Sequence, residues 1–428
     1  MHGLRSVCTL VSCLLGVFQP ALATNGMNLI GFGSESLAMG GADLAVSQDA
    51  MATNNNPAGL MQIRGKRMDL FGAAVFALDV RHRDSFGNDQ EVENSPIFFG
   101  DLAYAHRLQS WPVVLAIGLF AQGGSGYDYG KLNTAFGTQD ELLGLFRIVK
   151  LTPGVAYAVN DRLSVGAVID IVYSDIEQRI FPDTSSLNPA DPAKSFFGTR
   201  IDDVNGINAG FKLGLQYQLN DRIKLGATYT SETELKMDGG PLVANFTALG
   251  LGRVRYDDVE VKGLNQPRQL GAGIAVEATD RLLLAADLSW VDWSHAVKTS
   301  TVVARNPDSS AAPSVLSQTA VHDWDDQLVL ALGTRYQASP KFTLFAGYNY
   351  GSNPIPDEHL SPLLAATGEH HITVGAGYQW NKQWRIYSGL EYLVKKEVTY
   401  NNPDLLFGPE AESINEALAL HITLSSLW

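Results

Sequence analysis

Apolar and polar residues alternate along much of this chain. Ile207, Ala209, Phe211, Leu213, Leu215 and Tyr217 share one face of an extended segment, and Asn208, Gly210, Lys212, Gly214 and Gln216 share the other. The same period of two runs through Leu163, Val165, Ala167, Ile169, Ile171 and Tyr173, and through Ile372, Val374, Ala376, Tyr378 and Trp380. Such alternation predicts strands with one apolar face. Short polar turns separate them at Leu108 to Pro112, Asn160-Asp161-Arg162, Asn220-Asp221-Arg222, Thr279-Asp280-Arg281, Ser339-Pro340-Lys341 and Asn381-Lys382-Gln383. Between consecutive short turns lie a strand, a long polar loop and a return strand, with loops over about 81–97, 123–145, 175–203, 232–253, 295–323, 351–369 and 399–416. Seven hairpins joined by six tight turns predict fourteen strands, with Pro267 as a bulge in one long strand over Val254 to Ala278.

Short turns on one side and long loops on the other are the pattern of an outer-membrane β-barrel. A soluble sandwich would place long loops at both ends. Aromatic residues at strand ends, among them Tyr157, Tyr217, Trp290, Tyr336, Trp380 and Trp384, suit interfacial girdles. The last segment alternates through Leu418, Leu420, Ile422 and Leu424 to a terminal aromatic, Trp428, which resembles a signal read by barrel-insertion machinery. The predicted fold is therefore all-β, a 14-stranded antiparallel transmembrane barrel over residues 65–428.

Composition narrows the class further. Charged residues make up 18 % of the 428, glycines number 41, and Lys+Arg of 31 against Asp+Glu of 45 leave a net charge of −14. The acidic balance excludes a nucleic-acid binder that needs a basic face. A mean hydropathy of −0.02 is too polar for a helical membrane bundle. Met1 to Ala23 carries Arg5, an apolar stretch from Val7 to Phe18, and Ala21-Leu22-Ala23, the three parts of a secretory signal with mature start at Thr24. Leu10-Val11-Ser12-Cys13 resembles a lipobox, but the apolar stretch continues past Cys13. Both cysteines, Cys8 and Cys13, fall inside the signal, so disulfide, zinc-thiolate and thiol chemistry are not expected of the mature chain.

Asn25 to about Met61 lacks the period of two. It is built from Gly31-Phe32-Gly33, Gly40-Gly41-Ala42 and Asn56-Pro57-Ala58-Gly59-Leu60, small residues and turn formers. A segment of this length ahead of the first strand, residues 24–64, is expected to fill the lumen, since fourteen strands enclose a channel.

These features together resemble the FadL/TodX family of outer-membrane hydrophobic-compound transporters. Ala38-Met39-Gly40-Gly41-Ala42, Asp49-Ala50 and Asn56-Pro57-Ala58 resemble its hatch segment, Asp292-Trp293-Ser294 its Trp-Ser pair, and Tyr348 to Pro362 its late proline-rich loop. Gln266-Pro267-Arg268 departs from the more apolar stretch expected there. The resemblance implies capture by outer loops, a hatch across the lumen and sideways exit where the third strand kinks. Transposed here, the third strand covers about Val113 to Ala121 and runs into Gly123, Gly124 and Gly126 as the kink, with Asn56, Pro57 and Ala58 packed against it as a latch. A fatty carboxylate in an apolar lumen wants a cation, and strand parity turns Lys150, Lys212 and Arg335 inward.

Expected partners are fatty acids or hydrocarbons, outer-membrane lipids and lipopolysaccharide, and the insertion machinery, with the chain a monomer. No metal or cofactor is expected. Glu358-His359 and Glu369-His370-His371 read as solvated loop residues, Asp323-Trp324-Asp325-Asp326 is a candidate divalent-cation loop, and no Ser–His pair suggests an enzyme. The expected function is transport of hydrophobic compounds, long-chain fatty acids first. Aromatic-hydrocarbon uptake and a general diffusion porin are the alternatives, and an unobstructed porin would conduct ions steadily.

Overall fold

The structure, a computed structural model, describes residues 25–428. The expected signal segment lies outside these residues. Fourteen antiparallel strands close on themselves. We number them β1 (Lys66–Ala77), β2 (Ile97–Arg107), β3 (Val113–Asn133), β4 (Gln139–Leu151 with Gly154–Ala158), β5 (Leu163–Ser186), β6 (Phe196–Asn220) and β7 (Ile223–Thr230, then Met237–Asp238 and Leu242–Phe246). The second half comprises β8 (Gly252–Lys262 with Gln269–Glu277), β9 (Leu282–Val291 with Thr299–Pro307), β10 (Val315–Val321 with Gln327–Ser339), β11 (Phe342–Gly351), β12 (His370–Gln379), β13 (Trp384–Tyr400) and β14 (Ala411–Leu427). Each pairs with its sequence neighbour, and β1 closes on β14 from Arg67↔Leu427 to Ala77↔Ala417. Closure removes the unpaired edges that lipid would not solvate. Pro267 interrupts β8 between its two halves without adding a strand.

The alternation has the expected sense. Leu328, Leu330 and Leu332 of β10 are exposed on the outer wall, as are Leu420, Ile422 and Leu424 of β14, while Ala331, His421 and Thr423 between them are buried inside. Trp111, Tyr157, Tyr336, Trp380 and Trp428 are exposed near the short-turn end. The turns themselves follow one chemistry. Asn160 Oδ1 accepts from the backbone N–H of Arg162 and Leu163, both at 2.9 Å. Asn220 does the same for Arg222 and Ile223, and Asn381 for Gln383 and Trp384. An amide side chain thus imitates a turn of backbone and reverses the strand in few residues.

The outer loops are shorter than expected. β3 continues to Asn133 and β5 to Ser186, so the residues between paired strands there reduce to 134–138 and 187–195. Beyond the lipid, the outward face of these strands is polar and held by cross-strand ion pairs such as Arg147–Asp175 at 2.7 Å and Arg179–Glu141 at 3.2 Å, while Leu142, Phe146 and Ile176 keep an apolar face inward. The alternation marks a lipid-facing wall, and where the lipid stops its sense reverses, polar residues turning outward and apolar ones inward, although the strand continues.

A cation on the outer wall at mid-depth costs about 2–4 kcal/mol. Leu332→Arg is expected to lower unfolding stability in vesicles by that amount. A loss below about 0.5 kcal/mol would place this face away from lipid.

Candidate functional site

Residues 25–63 lie against the inward faces of the strands, and only Gln62 among them is exposed. Small turns shape the segment: a helix over Ser34–Ala38 and 3-10 turns over Ala50–Thr53 and Pro57–Gln62. Asn56 caps the last of these, its Oδ1 accepting from Ala58 N at 3.1 Å, and Pro57 occupies the first turn where a missing N–H costs nothing.

Polar side chains around the wall satisfy the segment's backbone. Asp287 Oδ2 accepts from Asp43 N at 2.7 Å and Leu44 N at 2.8 Å, and Asp69 Oδ2 from Ala50 N at 2.8 Å. Gln216 donates to Leu44 O and Ser47 O, Asn349 to Gly40 O, and Thr373 to Ala38 O. Glycines in the wall leave room for this approach. A Cβ at Gly166 would stand 2.4 Å from the Pro57 carbonyl carbon, and one at Gly214 would stand 2.1 Å from Asn56 Oδ1. Asn56-Pro57-Ala58 therefore packs on β5 and β6. The expected latch against the glycines of β3 is not what forms.

The β3 glycines meet a different part of the segment. Gly123 (φ 144°) and Gly124 (φ 134°) adopt backbone that other residues rarely take. A register shift between Ala121 and Gly123 leaves Gln122 as an extra residue opposite β4. Gly123 bridges to Asn28, and Gly124 N donates to Met27 O at 3.1 Å. Gly126 lies beyond the irregularity, in register with Leu145, so it is not part of the break. The expected end of β3 at Ala121 is thus an internal bend.

Next to this bend the backbone pairing of the wall is interrupted. β2 and β3 pair from Leu102↔Leu119 to Arg107↔Val114 and no further, while Ile97 to Asp101 of β2 remain paired with β1. Asp101 Oδ1 accepts from Ala121 N at 2.9 Å, and farther out Asn94 Nδ2 donates to Gly126 O at 3.2 Å. Between those bonds β3 has turned inward.

Above the lipid-facing belt lies an apolar cavity of about 420 Å³. Leu142, Phe146, Ile176, Ile180, Phe181 and Phe196 line one side, and Val302, Val321, Leu363, Leu405 and Phe407 the other. No lysine or arginine is among its lining residues, whose titratable members are His322, His359 and Asp404. His322 Nε2 lies 2.8 Å from Ser300 Oγ. Burial pushes the His322 imidazole down to about 4, with His359 adding to the effect and Asp323 opposing it.

The three inward cations are inward, but each is engaged. Lys150 pairs with Asp170 at 3.2 Å. Lys212 donates to Asn54 O and borders a smaller polar cavity of about 100 Å³ beside Gln122 and Asn28. Arg335 binds Glu35 at 3.0 Å near the short-turn end. None lines the apolar cavity. In the acidic loop, Trp324 is buried against Trp293 at 5.3 Å, and Asp326 accepts from Trp290 Nε1 at 3.0 Å. Trp293 also covers Gly26, where the inner segment begins.

Asp287, Gln216 and the Met27–Asn28 pair were not singled out in the sequence. Their nearest signal is the run of small inward residues at Gly271, Gly273 and Gly375. A Cβ at Gly273 would stand 3.0 Å from Leu44 Cβ and one at Gly375 would stand 2.6 Å from Ala38 Cβ.

A closed barrel, an inner segment and a break in its wall define a membrane channel of unusual closure, and comparison with known proteins gives it a family. Residues 20–425 match the model of the outer membrane protein transport protein family (OMPP1/FadL/TodX). The chain belongs to that family and is a β-barrel of the Gram-negative outer membrane. It is similar to the long-chain fatty acid transport protein of Salmonella typhi, 21 % identical over 60 % of this chain and 61 % of that one. It is also similar to the 47 kDa outer membrane protein of Pasteurella multocida (strain Pm70), 24 % identical over 48 % and 47 %. The chain thus matches about half to three-fifths of the length of these relatives. Its fold resembles the toluene transporter TbuX of Ralstonia pickettii, with a TM-score of 0.75 and 23 % identity over 94 % of this chain and 99 % of that one. The Pseudomonas putida toluene transporter TodX gives 0.77 and 22 % over 95 % and 100 %.

The His322 environment sets a pH dependence. An ordinary imidazole titrates near 6.5 and this one near 4. Between those values the loosened outer region binds a proton that the packed one refuses. Stability of the cavity wall is therefore full above about pH 6.5 and falls toward pH 4. In a nuclear magnetic resonance titration His322 is expected to remain neutral at pH 5.5, and a midpoint near 6.5 would contradict this packing.

Proposed function

We propose that this barrel transports hydrophobic compounds across the outer membrane, by capture in the apolar outer cavity and lateral release into the bilayer through the gap between β2 and β3. The observation that carries this is the pairing of the two features: an apolar cavity of about 420 Å³ facing outward, and a wall whose hydrogen bonding stops at Leu102↔Leu119. An acyl chain gains ~0.8 kcal/mol for each methylene it buries, so it would resist a wide aqueous pore and favour a dry cavity. Release into lipid never returns it to water.

In this account residues 25–63 are a plug that closes the direct route to the periplasm. Asn56, Pro57 and Ala58 anchor it to β5 and β6, and Met27 and Asn28 hold it to the bend at Gly123 and Gly124. That arrangement favours a gated transporter over a general diffusion porin. The chain acts as a monomer, because a lateral exit needs contact with lipid. Trp428 terminates β14 as the recognition end for the insertion machinery, and the long loops meet lipopolysaccharide. The activity is transport, not catalysis.

Long-chain fatty acids are the first substrates to consider, in line with the description of the Salmonella typhi relative. A second class, uncharged aromatic hydrocarbons, is favoured by one observation: the apolar cavity has no lysine or arginine in its lining to meet a carboxylate. In the fatty-acid case Lys212, at the inner polar cavity, is the cation placed to meet the head group after the chain has moved inward.

The test is uptake of radiolabelled oleate and of toluene by a Gram-negative host lacking its own transporters. Wild-type chain is expected to support at least one of them, and Gly124→Val, which must displace Phe146 O, is expected to lower uptake at least about tenfold with insertion unchanged. Equal uptake by inserted Gly124→Val would rule out the β3 bend as the exit. No uptake of either compound by an inserted wild-type barrel would reject the substrate classes.

A further inference from the structure

The loop between β11 and β12 turns into the lumen and stands between the outer cavity and the bend in β3. Its short turns cover Asp357–His359 and Pro362–Leu364, and Leu360, Leu363 and Ala365 are buried. Leu363 faces the cavity on one side and presses on β4 at Gly144, where a Cβ would stand 3.0 Å from Leu363 Cβ. Three alternate residues of β3 hold the loop by its carbonyls. Ser125 Oγ donates to Leu363 O at 2.8 Å, Tyr127 Oη to Ala365 O at 2.9 Å, and Tyr129 Oη to Pro362 O at 3.3 Å. Ser125 directly follows Gly124, so the cavity wall is hydrogen-bonded to the residue adjoining the strand break.

We propose that residues 357–367 form an inner gate, and that a bound hydrophobic molecule leaves the cavity toward the β2–β3 gap by lifting Leu363 away from Gly144. The inference rests on the transport reading and adds the element that controls it. Ligand and β4 compete for the same side chain. Leu363 is the apolar side chain shared between the cavity and the close contact with β4, so a ligand that packs on it replaces the contact that keeps the loop seated. Hydroxyl-to-carbonyl bonds are directional. Moving the loop therefore pulls on Ser125 and Tyr127 and, through them, on the flexible glycines just before them. Ser125 and Tyr127 are positioning residues in this scheme and Leu363 is the moving part.

The test uses the absence of cysteine from residues 24–428. Gly144→Cys with Leu363→Cys brings two Cβ atoms close to the separation of about 3.5–4.5 Å that a disulfide takes. Oxidised protein is expected to lose uptake of the labelled compound by more than about tenfold and to recover it on reduction, while purified oxidised protein still binds the fluorescent hydrophobe N-phenylnaphthylamine. Uptake by the crosslinked form at the reduced rate would overturn the gate. Should the crosslink not form, Ser125→Ala with Tyr127→Phe is expected to raise initial uptake several-fold at low substrate, and an unchanged rate would overturn it equally. A second readout is independent of uptake: N-phenylnaphthylamine is expected to speed thiol labelling of Leu363→Cys, and labelling that is unaffected or slowed would contradict a moving loop. If wild type takes up nothing yet labelling accelerates, the transport reading fails and the gate stands.

Discussion

A strand that parts from its neighbour inside a membrane must find other partners for its peptide groups, because lipid supplies none. That constraint organises this molecule. β3 leaves β2 after Leu119, and the exposed backbone is taken up from within: Asp101 receives Ala121 N, Met27 O receives Gly124 N, and Asn28 bridges Gly123. The opening in the wall and the inner segment are therefore one construction. Without Met27 and Asn28 the bend would carry unsatisfied groups, and without the bend they would meet a flat wall. Gly123 and Gly124 are required twice over, by positive φ and by an approach that a Cβ would block at about 2 Å.

The same logic accounts for the buried charges. Asp287 and Asp69 serve as receptors for backbone N–H groups of a segment with too little regular structure to satisfy itself. Arg67 pairs with Asp69 and Arg335 with Glu35 of the segment itself, so these two carboxylates do not stand alone, while Asp287 is held by the backbone N–H groups of Asp43 and Leu44. The lumen is thus polar near the inner segment and apolar higher up, where the cavity needs to exclude water. On the proposed route a hydrophobic solute would meet the dry region first and the glycine bend beneath it.

Much of the barrel was legible in the sequence. Each Asn-Asp-Arg turn carries its own hydrogen-bond acceptor, and the lipid face enforces a period of two that loops do not imitate. Pro267, expected as a bulge in one long strand, adds no strand because alternation resumes beyond it, but the strand is interrupted over 263–268. The extent of β3, β5 and β6 was not legible, because beyond the lipid Asp175, Glu177 and Arg179 make the outward face polar while Ile176 and Ile180 turn inward to the cavity, so the alternation no longer has the sense of a lipid-facing wall. Parity placed Lys150, Lys212 and Arg335 inside. It could not name their neighbours, which come from other strands or from the inner segment. The partner of Asn56-Pro57-Ala58 was missed for a related reason: Gly166 and Gly214 look like ordinary strand glycines until the segment is laid upon them.

The central claim is that the inner segment, held by the wall, closes the lumen while the side of the barrel remains the way out. Ion conductance of the purified protein in a planar bilayer tests it most directly. The account predicts that inserted wild-type protein shows no steady open-pore current, and that weakening the hold on the segment with Asp287→Ala introduces frequent openings. A large, steady, porin-like conductance from the intact protein would contradict it.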